Sequence, residues 1–111
     1  MNLRNFAYAG AALAFALSLA SPAAALDRHV KIINETSFDI VEFYGSNTGT
    51  NDWEEDILGK DVLYSGKSVN VNFDDGSGYC MFDFRAVFSD GDVLVRRKIN
   101  VCEIGTYRYH E

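Results

Sequence analysis

Across residues 68–73 the chain alternates, with Val69, Val71 and Phe73 on one side and polar residues on the other. This is the period-two signature of a strand with one wet face. The same period runs through residues 79–102, where two apolar-rich runs flank Ser89-Asp90-Gly91-Asp92. An Asp-Gly pair between alternating runs predicts a hairpin, because both residues tolerate the positive φ of a two-residue type I′ turn. Such a turn pairs Phe88 with Val93, Ala86 with Val95, Phe84 with Arg97 and Phe82 with Ile99 on the core side. On the other side it sets Val87 against Leu94 and Asp83 against Lys98. Cys80 then faces Val101, and Cys102 points away from it. A bridge between the two cysteines therefore needs one extra residue in the second strand, expected as a β-bulge near Asn100 and Val101.

The remaining pattern fills in around this hairpin. Residues 28–33 form a β-branched run, Asn34-Glu35-Thr36-Ser37 is a polar break, and residues 38–44 form a second run. The break reads as a turn joining a first hairpin or meander, with Val30, Ile32, Phe38 and Ile40 facing the core. Asn34-Glu35-Thr36 also matches the N-glycosylation acceptor pattern, against which the bacterial character of the leader argues. Residues 45–52 are polar throughout and read as a mobile loop. A helical signature follows over residues 52–59: Asp52 as N-cap, Glu55 three residues on, Trp53 and Ile57 four apart, and Gly59 as the stop. One or two helical turns burying Trp53 and Ile57 or Leu58 are expected there. Residues 106–110 read as a short last strand with Tyr107 and Tyr109 on one face.

About six short strands, one short helical insertion and no helix long enough to cover a sheet predict sheet on sheet. The expected fold is a small antiparallel β-sandwich, immunoglobulin-like in general shape, with a flattened barrel as the alternative. Ahead of it, residues 1–25 carry Arg4, an apolar Ala- and Leu-rich run, Pro22 and the small residues Ala23, Ala24 and Ala25. That is the pattern of a cleaved signal peptide, leaving residues 26–111 as one domain without membrane insertion, periplasmic or secreted. Export fits the cysteine count: Cys80 and Cys102 are the only two, and are expected to form one disulfide.

Charge narrows the partners. The whole sequence carries −6 at neutral pH, and removal of Arg4 with the leader makes it −7. Such an acidic chain disfavours nucleic acid and anionic lipid, and favours a basic protein partner or a cation. Catalysis finds no support: His29 and His110 lie at the two ends of the domain, and neither a phosphate-binding glycine loop nor a paired-histidine metal motif occurs. No cofactor is expected. Asp52, Glu54, Glu55, Asp56 and Asp61 place five carboxylates within ten residues. Asp52, Glu54 and Asp56 occupy the first, third and fifth positions of an EF-hand loop, which makes them weak calcium candidates. Ile57 stands where that loop needs glycine, and Leu63 where it needs glutamate. Trp53, Glu54, Glu55, Asp56 and Asp61 are thus candidate partner-binding residues. The expectation is a non-catalytic interaction module, with an inhibitor of a basic secreted enzyme or a weak calcium-binding domain as alternatives. Tyr44, Tyr64, Tyr79, Tyr107 and Tyr109 could line a binding face, but in a small sandwich serve more often as packing.

Ile-Ile-Asn-Glu-Thr, Asp-Trp-Glu-Glu-Asp-Ile-Leu-Gly, Gly-Tyr-Cys-Met-Phe-Asp-Phe-Arg-Ala-Val and Asn-Val-Cys, in that order, resemble a group of short, uncharacterised exported proteins of alphaproteobacteria and related bacteria. The resemblance covers nearly all of residues 26–111 and implies export but no activity. Some such chains carry the name argininosuccinate lyase. That enzyme is a much longer helical tetramer, and nothing in this sequence carries its catalytic serine loop.

Overall fold

The computed structural model describes residues 26–111; the leader expected over residues 1–25 lies outside them. Six strands follow in order: β1 (His29–Glu35), β2 (Ile40–Asn47), β3 (Ser68–Asn72), β4 (Met81–Phe88), β5 (Val93–Asn100) and β6 (Thr106–His110). They form two three-stranded sheets, β3-β1-β6 and β2-β4-β5. Alternation explains which side chains meet between them. Val30, Ile32, Val71 and Tyr109 face inward from the first sheet, and Ile40, Phe43, Phe82, Phe84, Ala86 and Phe88 from the second; all are buried. Phe73, just beyond β3, stacks on Phe84 with ring centroids 5.0 Å apart, and Phe43 meets Tyr109 edge-on at 6.3 Å. These contacts across the sandwich are the arrangements aromatic quadrupoles favour.

The fold is all-β as the period-two pattern predicts, but one pairing is not antiparallel. β1 runs parallel to β6, from Lys31 opposite Thr106 to Glu35 opposite His110. The break at residues 34–37 also differs from expectation: it does not turn a hairpin but carries the chain from the first sheet to the second. Its centre is Asn34, which has no exposed surface. Asn34 Nδ2 donates to the carbonyls of Phe38 at 2.8 Å and Leu63 at 3.0 Å, and Oδ1 accepts from the Thr36 N–H at 3.0 Å and its hydroxyl at 2.7 Å. A buried amide with both ends satisfied fixes the crossing. The amide that the glycosylation pattern would modify is therefore enclosed. Phe38, expected in the core, is displaced outward by this turn and is 43% exposed.

The β4–β5 hairpin forms, with a different turn. Phe88 N–H donates to the Asp92 carbonyl and Gly91 N–H to that of Phe88, which closes a three-residue loop of Ser89, Asp90 and Gly91, with Gly91 at φ +94°. One added loop residue shifts the whole near register: Val87 pairs with Val93, Ala86 with Leu94, Arg85 with Val95 and Phe84 with Arg96. Val93 and Val95 consequently point outward, not into the core, while Leu94 turns inward. β5 does carry one extra residue, at Arg97 and Lys98 opposite Asp83, but it offsets the longer loop; the bulge expected at Asn100 and Val101 does not form, and the Val101 N–H still donates to the Cys80 carbonyl at 2.9 Å. Lys98 adopts φ +57° and donates its N–H to Asp83 Oδ1 at 2.9 Å. From Phe82–Ile99 outward the expected pairing returns. Cys80 and Cys102 are bridged, with Cα atoms 5.3 Å apart.

No helix forms over residues 52–59, where the sequence predicts one. Tertiary pairing overrides the capping pattern: Phe43 N–H donates to Asp56 Oδ1 at 2.9 Å, Ile57 N–H donates to the Phe43 carbonyl at 2.8 Å, and Ile40 and Leu63 exchange two backbone bonds. Residues 56–63 thus lie along the outer edge of β2 and satisfy groups that would otherwise be open to strand pairing. Ile57 stays 38% exposed, while Leu58 packs on the core. The expected mobile loop over residues 45–52 is likewise shorter, since β2 continues through Gly45, Ser46 and Asn47 opposite Phe84, Asp83 and Phe82. Among the described residues, no helix is long and apolar enough to cross a membrane.

Candidate functional site

Beyond β2 the chain folds back at Asn47, whose Oδ1 accepts the Gly49 N–H at 3.0 Å and the Thr50 hydroxyl at 3.2 Å. Asn47 Nδ2 donates to Asp75 Oδ2 at 2.9 Å, which ties this loop to the one after β3. Asp52 Oδ1 then accepts the Glu54 N–H at 3.0 Å, with Glu54 at φ +64°. Asp52 is therefore a cap, as its position suggests, but of a tight Asx turn and not of a helix. Together these bonds place Trp53, half-buried, at the corner of the β2-β4-β5 sheet. The Arg97 guanidinium lies 5.6 Å from its ring centroid, and Arg97 Nη1 also donates to Asp83 Oδ2 at 3.0 Å. The bulge in β5 aims Arg97 at this corner, so the register device and the site are one feature.

Trp53 lines two concavities. The larger is an open groove of about 580 Å³ with Trp53, Ile57, Phe73 and Phe82 as apolar walls and Glu54, Glu55 and Asp75 as its charged residues; no basic side chain lines it. Glu54 and Glu55 are exposed. Burial pushes the Asp75 carboxyl up, but the hydrogen bonds from the Ser77 hydroxyl, Asn47 and the Ser77 N–H together outweigh it and hold the group below its ordinary value. The groove therefore keeps at least this negative charge into mildly acidic solution. The smaller concavity, of about 100 Å³, is lined by Ser46, Thr50, Asn51, Asp52, Trp53, Asp83 and Arg97. Ser46 is one of its lining residues, with the hydroxyl itself buried and without a hydrogen-bond partner.

The five candidate partner-binding residues do not share one role. Trp53, Glu54 and Glu55 meet at the groove, whereas Asp56 Oδ1 is engaged by the N–H groups of Phe43 and Leu58, at 2.9 and 3.0 Å, and holds the β2 edge. Asp61 lines a separate groove with Lys60 and Lys67. The calcium candidates Asp52, Glu54 and Asp56 are separated by the same turn, and no three His, Cys, Asp or Glu among the described residues form a group that could hold a metal ion. Parallel pairing of β1 with β6 puts His29 and His110 at opposite ends of the sheet, and neither lines the groove. His29 pairs with Asp27 at 2.7 Å in the open.

Two features escape sequence reasoning. Ser46 gives no signal in a polar run, because its burial follows from the fold-back at Asn47. Tyr44 and Arg85 are opposite in the β2–β4 register, with the guanidinium 5.1 Å from the ring centroid and the Tyr44 hydroxyl donating to Glu42 at 2.6 Å. That hydrogen bond is the main reason the Tyr44 hydroxyl titrates above its ordinary value. Tyr107 and Tyr109 are packing residues in contact with Phe84 and Phe88. No family model, curated protein or solved structure matches this chain.

Proposed function

We propose that the protein is a non-catalytic interaction module of the periplasm or cell envelope, and that the groove beside Trp53 receives a basic side chain of a protein partner. The carrying observation is the lining itself: three carboxylates, an aromatic and aliphatic floor, and no cation of the chain's own. A lysine or arginine matches both parts, because its aliphatic stem covers apolar surface while its charged end meets the carboxylates. Trp53 supplies the rigid aromatic area common at interface anchors, and the −7 charge of residues 26–111 steers basic partners from a distance. Export is part of the same proposal, supported by the leader pattern and the disulfide. A basic secreted enzyme is one partner of this chemistry, which makes inhibition a special case of the same contact.

Capture from periplasmic extract tests the reading, with wild type, Trp53→Ala and Glu54→Lys/Glu55→Lys as baits at low and moderate salt. A partner with a basic contact surface, captured in a salt-sensitive way by wild type and lost with either variant, supports the groove. Equal capture by the charge-reversed bait would refute it. Assays of basic lysozymes and proteases with the same proteins separate inhibition from simple binding.

A further inference from the structure

We propose that the open edge of β3 is a contact through which two copies of this chain associate, pairing antiparallel about Asn70. The β1–β3 register turns alternate residues toward β1: Val69 and Val71 lie opposite Ile32 and Val30, and beyond the strand ends the Phe73 N–H donates to the Arg28 carbonyl and the Asn34 N–H to that of Lys67. The backbone groups of Ser68, Asn70 and Asn72 therefore point away from the sheet, where β3 has no neighbour. An open groove of about 600 Å³ runs along this edge, bordered by Ile57 and Tyr64, which are 38% and 59% exposed. Among the described residues, no backbone hydrogen bond crosses it from residues 57–64 to β3.

The other outer edges are protected against strand addition. Residues 56–63 cover β2, β5 carries Arg96, Arg97, Lys98 and a bulge, and β6 carries Arg108 and His110. Ser68-Val69-Asn70-Val71-Asn72 has no such device: it contains no charge and no proline, and its pairing is regular. Its flanks decide what it pairs with. Lys67 precedes the strand and Asp74 follows it; both are exposed, and neither takes part in an ion pair among the described residues. Antiparallel pairing centred on Asn70 sets Ser68 opposite Asn72 of the second copy, Val69 opposite its Val71, and the Lys67 end of each strand beside the Asp74 end of the other. Parallel pairing in register would set lysine beside lysine and aspartate beside aspartate. Each pairing among Ser68, Asn70 and Asn72 can exchange two backbone bonds. Although each chain is acidic, the two-fold axis falls on a neutral amide. The contact uses the same patch on both copies and closes at two, because β6, at the far edge of the enlarged sheet, is charged.

A single five-residue edge is smaller than a standard interface, so a dissociation constant on the order of 100 μM is expected. In sedimentation equilibrium between about 10 μM and about 1 mM, the mass of the protein should rise from monomer toward dimer and no further. Over the same range amide hydrogen exchange should slow at Ser68, Asn70 and Asn72, while Val69 and Val71, already bonded to β1, stay constant. Asn70→Lys or Asn70→Asp alone sets like charges across the axis and should weaken association at least about tenfold, whereas an equimolar mixture of the two should restore it as a dimer of one of each. Asn70 is exposed and does not line the groove beside Trp53, so these variants leave the monomer fold and that groove alone, and either reading can fail without the other. A wild type that stays monomeric throughout, even if the edge accepts a foreign strand, would overturn the proposal. So would association unchanged in Asn70→Lys, a mixture that associates no better than either variant, or concentration-dependent protection at β5 or β6 in place of β3.

Discussion

Asn34 offers a quantitative test of how this sandwich is held together. In Asn34→Ala, three of the four groups that Asn34 bonds keep a partner. The Thr36 hydroxyl, 2.9 Å from the Phe38 carbonyl, can turn its proton there, and the Leu63 carbonyl keeps the Ile40 N–H at 2.9 Å. The Thr36 N–H has no such replacement, and its residue is 8% exposed. A buried donor left unpaired costs about 1–3 kcal/mol, and the lost bonds from Nδ2 about 0.5–1.5 kcal/mol each. With the small cavity added, the expected loss is about 3–5 kcal/mol. A domain of this size has roughly 4–13 kcal/mol in all, so the variant should be close to its unfolding threshold. Asn34→Asp is more diagnostic, because it keeps Oδ1 and replaces a donor by a second acceptor aimed at two carbonyls. Burial and those carbonyls would raise the new carboxyl's folded pKa above its unfolded value of about 4. Its stability is then fullest below about pH 4 and declines as pH rises through the folded value, the reverse of a salt-bridged aspartate. Urea unfolding of wild type and both variants at pH 4.5 and 7.5 reads this directly. An Asn34→Asp protein within about 1 kcal/mol of wild type at pH 7.5, or one whose deficit does not grow between the two pH values, would refute the clamp.

Four further outcomes are expected. Cys80→Ser/Cys102→Ser releases a bridge spanning 22 residues and should lower stability by about 3 kcal/mol, lowering Tm by more than about 10 °C in differential scanning calorimetry. Gly45→Ala would bring a Cβ to 2.5 Å from Phe73 Cε1, so a loss of about 1–3 kcal/mol is expected, relieved by adding Phe73→Leu; a double-mutant cycle in urea measures the coupling. Tyr109→Phe removes a hydroxyl that is buried without a partner, and should leave Tm unchanged or raised; a fall of several degrees would show that the hydroxyl has one. Asp75 has its carboxyl held low, so the stability it contributes is present above the unfolded value and is lost as acid takes the pH down through the folded value, below about pH 4. Asp75→Asn should flatten that part of an acid-unfolding curve.

How legible the fold was depended on which interactions set each element. Strands β3, β4 and β6 are visible because the pattern of alternation and the pattern of burial are the same fact, as in Phe82, Phe84, Ala86 and Phe88. The bulge in β5 could not be inferred: the one expected near Asn100 and Val101 to bring the cysteines together does not form, and Cys102 reaches Cys80 from the turn that follows β5. The two-residue turn assumed at Asp90-Gly91 is one residue short of the loop that forms, and that single residue decides which of Val93 and Leu94 faces the core. The parallel β1–β6 pairing is a long-range choice on which the alternation of either strand is silent. The missing helix is the more instructive failure. Asp52 and Glu55 satisfy the local rules for a helix start, yet the outer edge of β2 needs partners, and Asp56 and Ile57 supply them. An unpaired strand edge outweighs a capping pattern worth about 1 kcal/mol.

The same competition explains what could be read of the site. Trp53, Glu54 and Glu55 stand out because a large aromatic beside acids in a polar segment is conspicuous without knowledge of the fold. Asp56 looks identical to them in sequence, but its oxygen is engaged by two backbone N–H groups and it belongs to the scaffold. Asp75 is separated from Trp53, Glu54 and Glu55 by twenty or more positions and joins them only because Asn47 reaches across to it at 2.9 Å. Ser46 is hidden for the opposite reason: its neighbours are all polar, and only the fold-back of residues 48–53 encloses it. A charge cluster in sequence is therefore divided by the structure into a mechanical half and an exposed half, and the exposed half acquires its apolar floor from Phe73, just beyond β3, and Phe82 of β4. Removing Trp53 should consequently disturb binding more than folding, whereas removing Asp56 should disturb folding first.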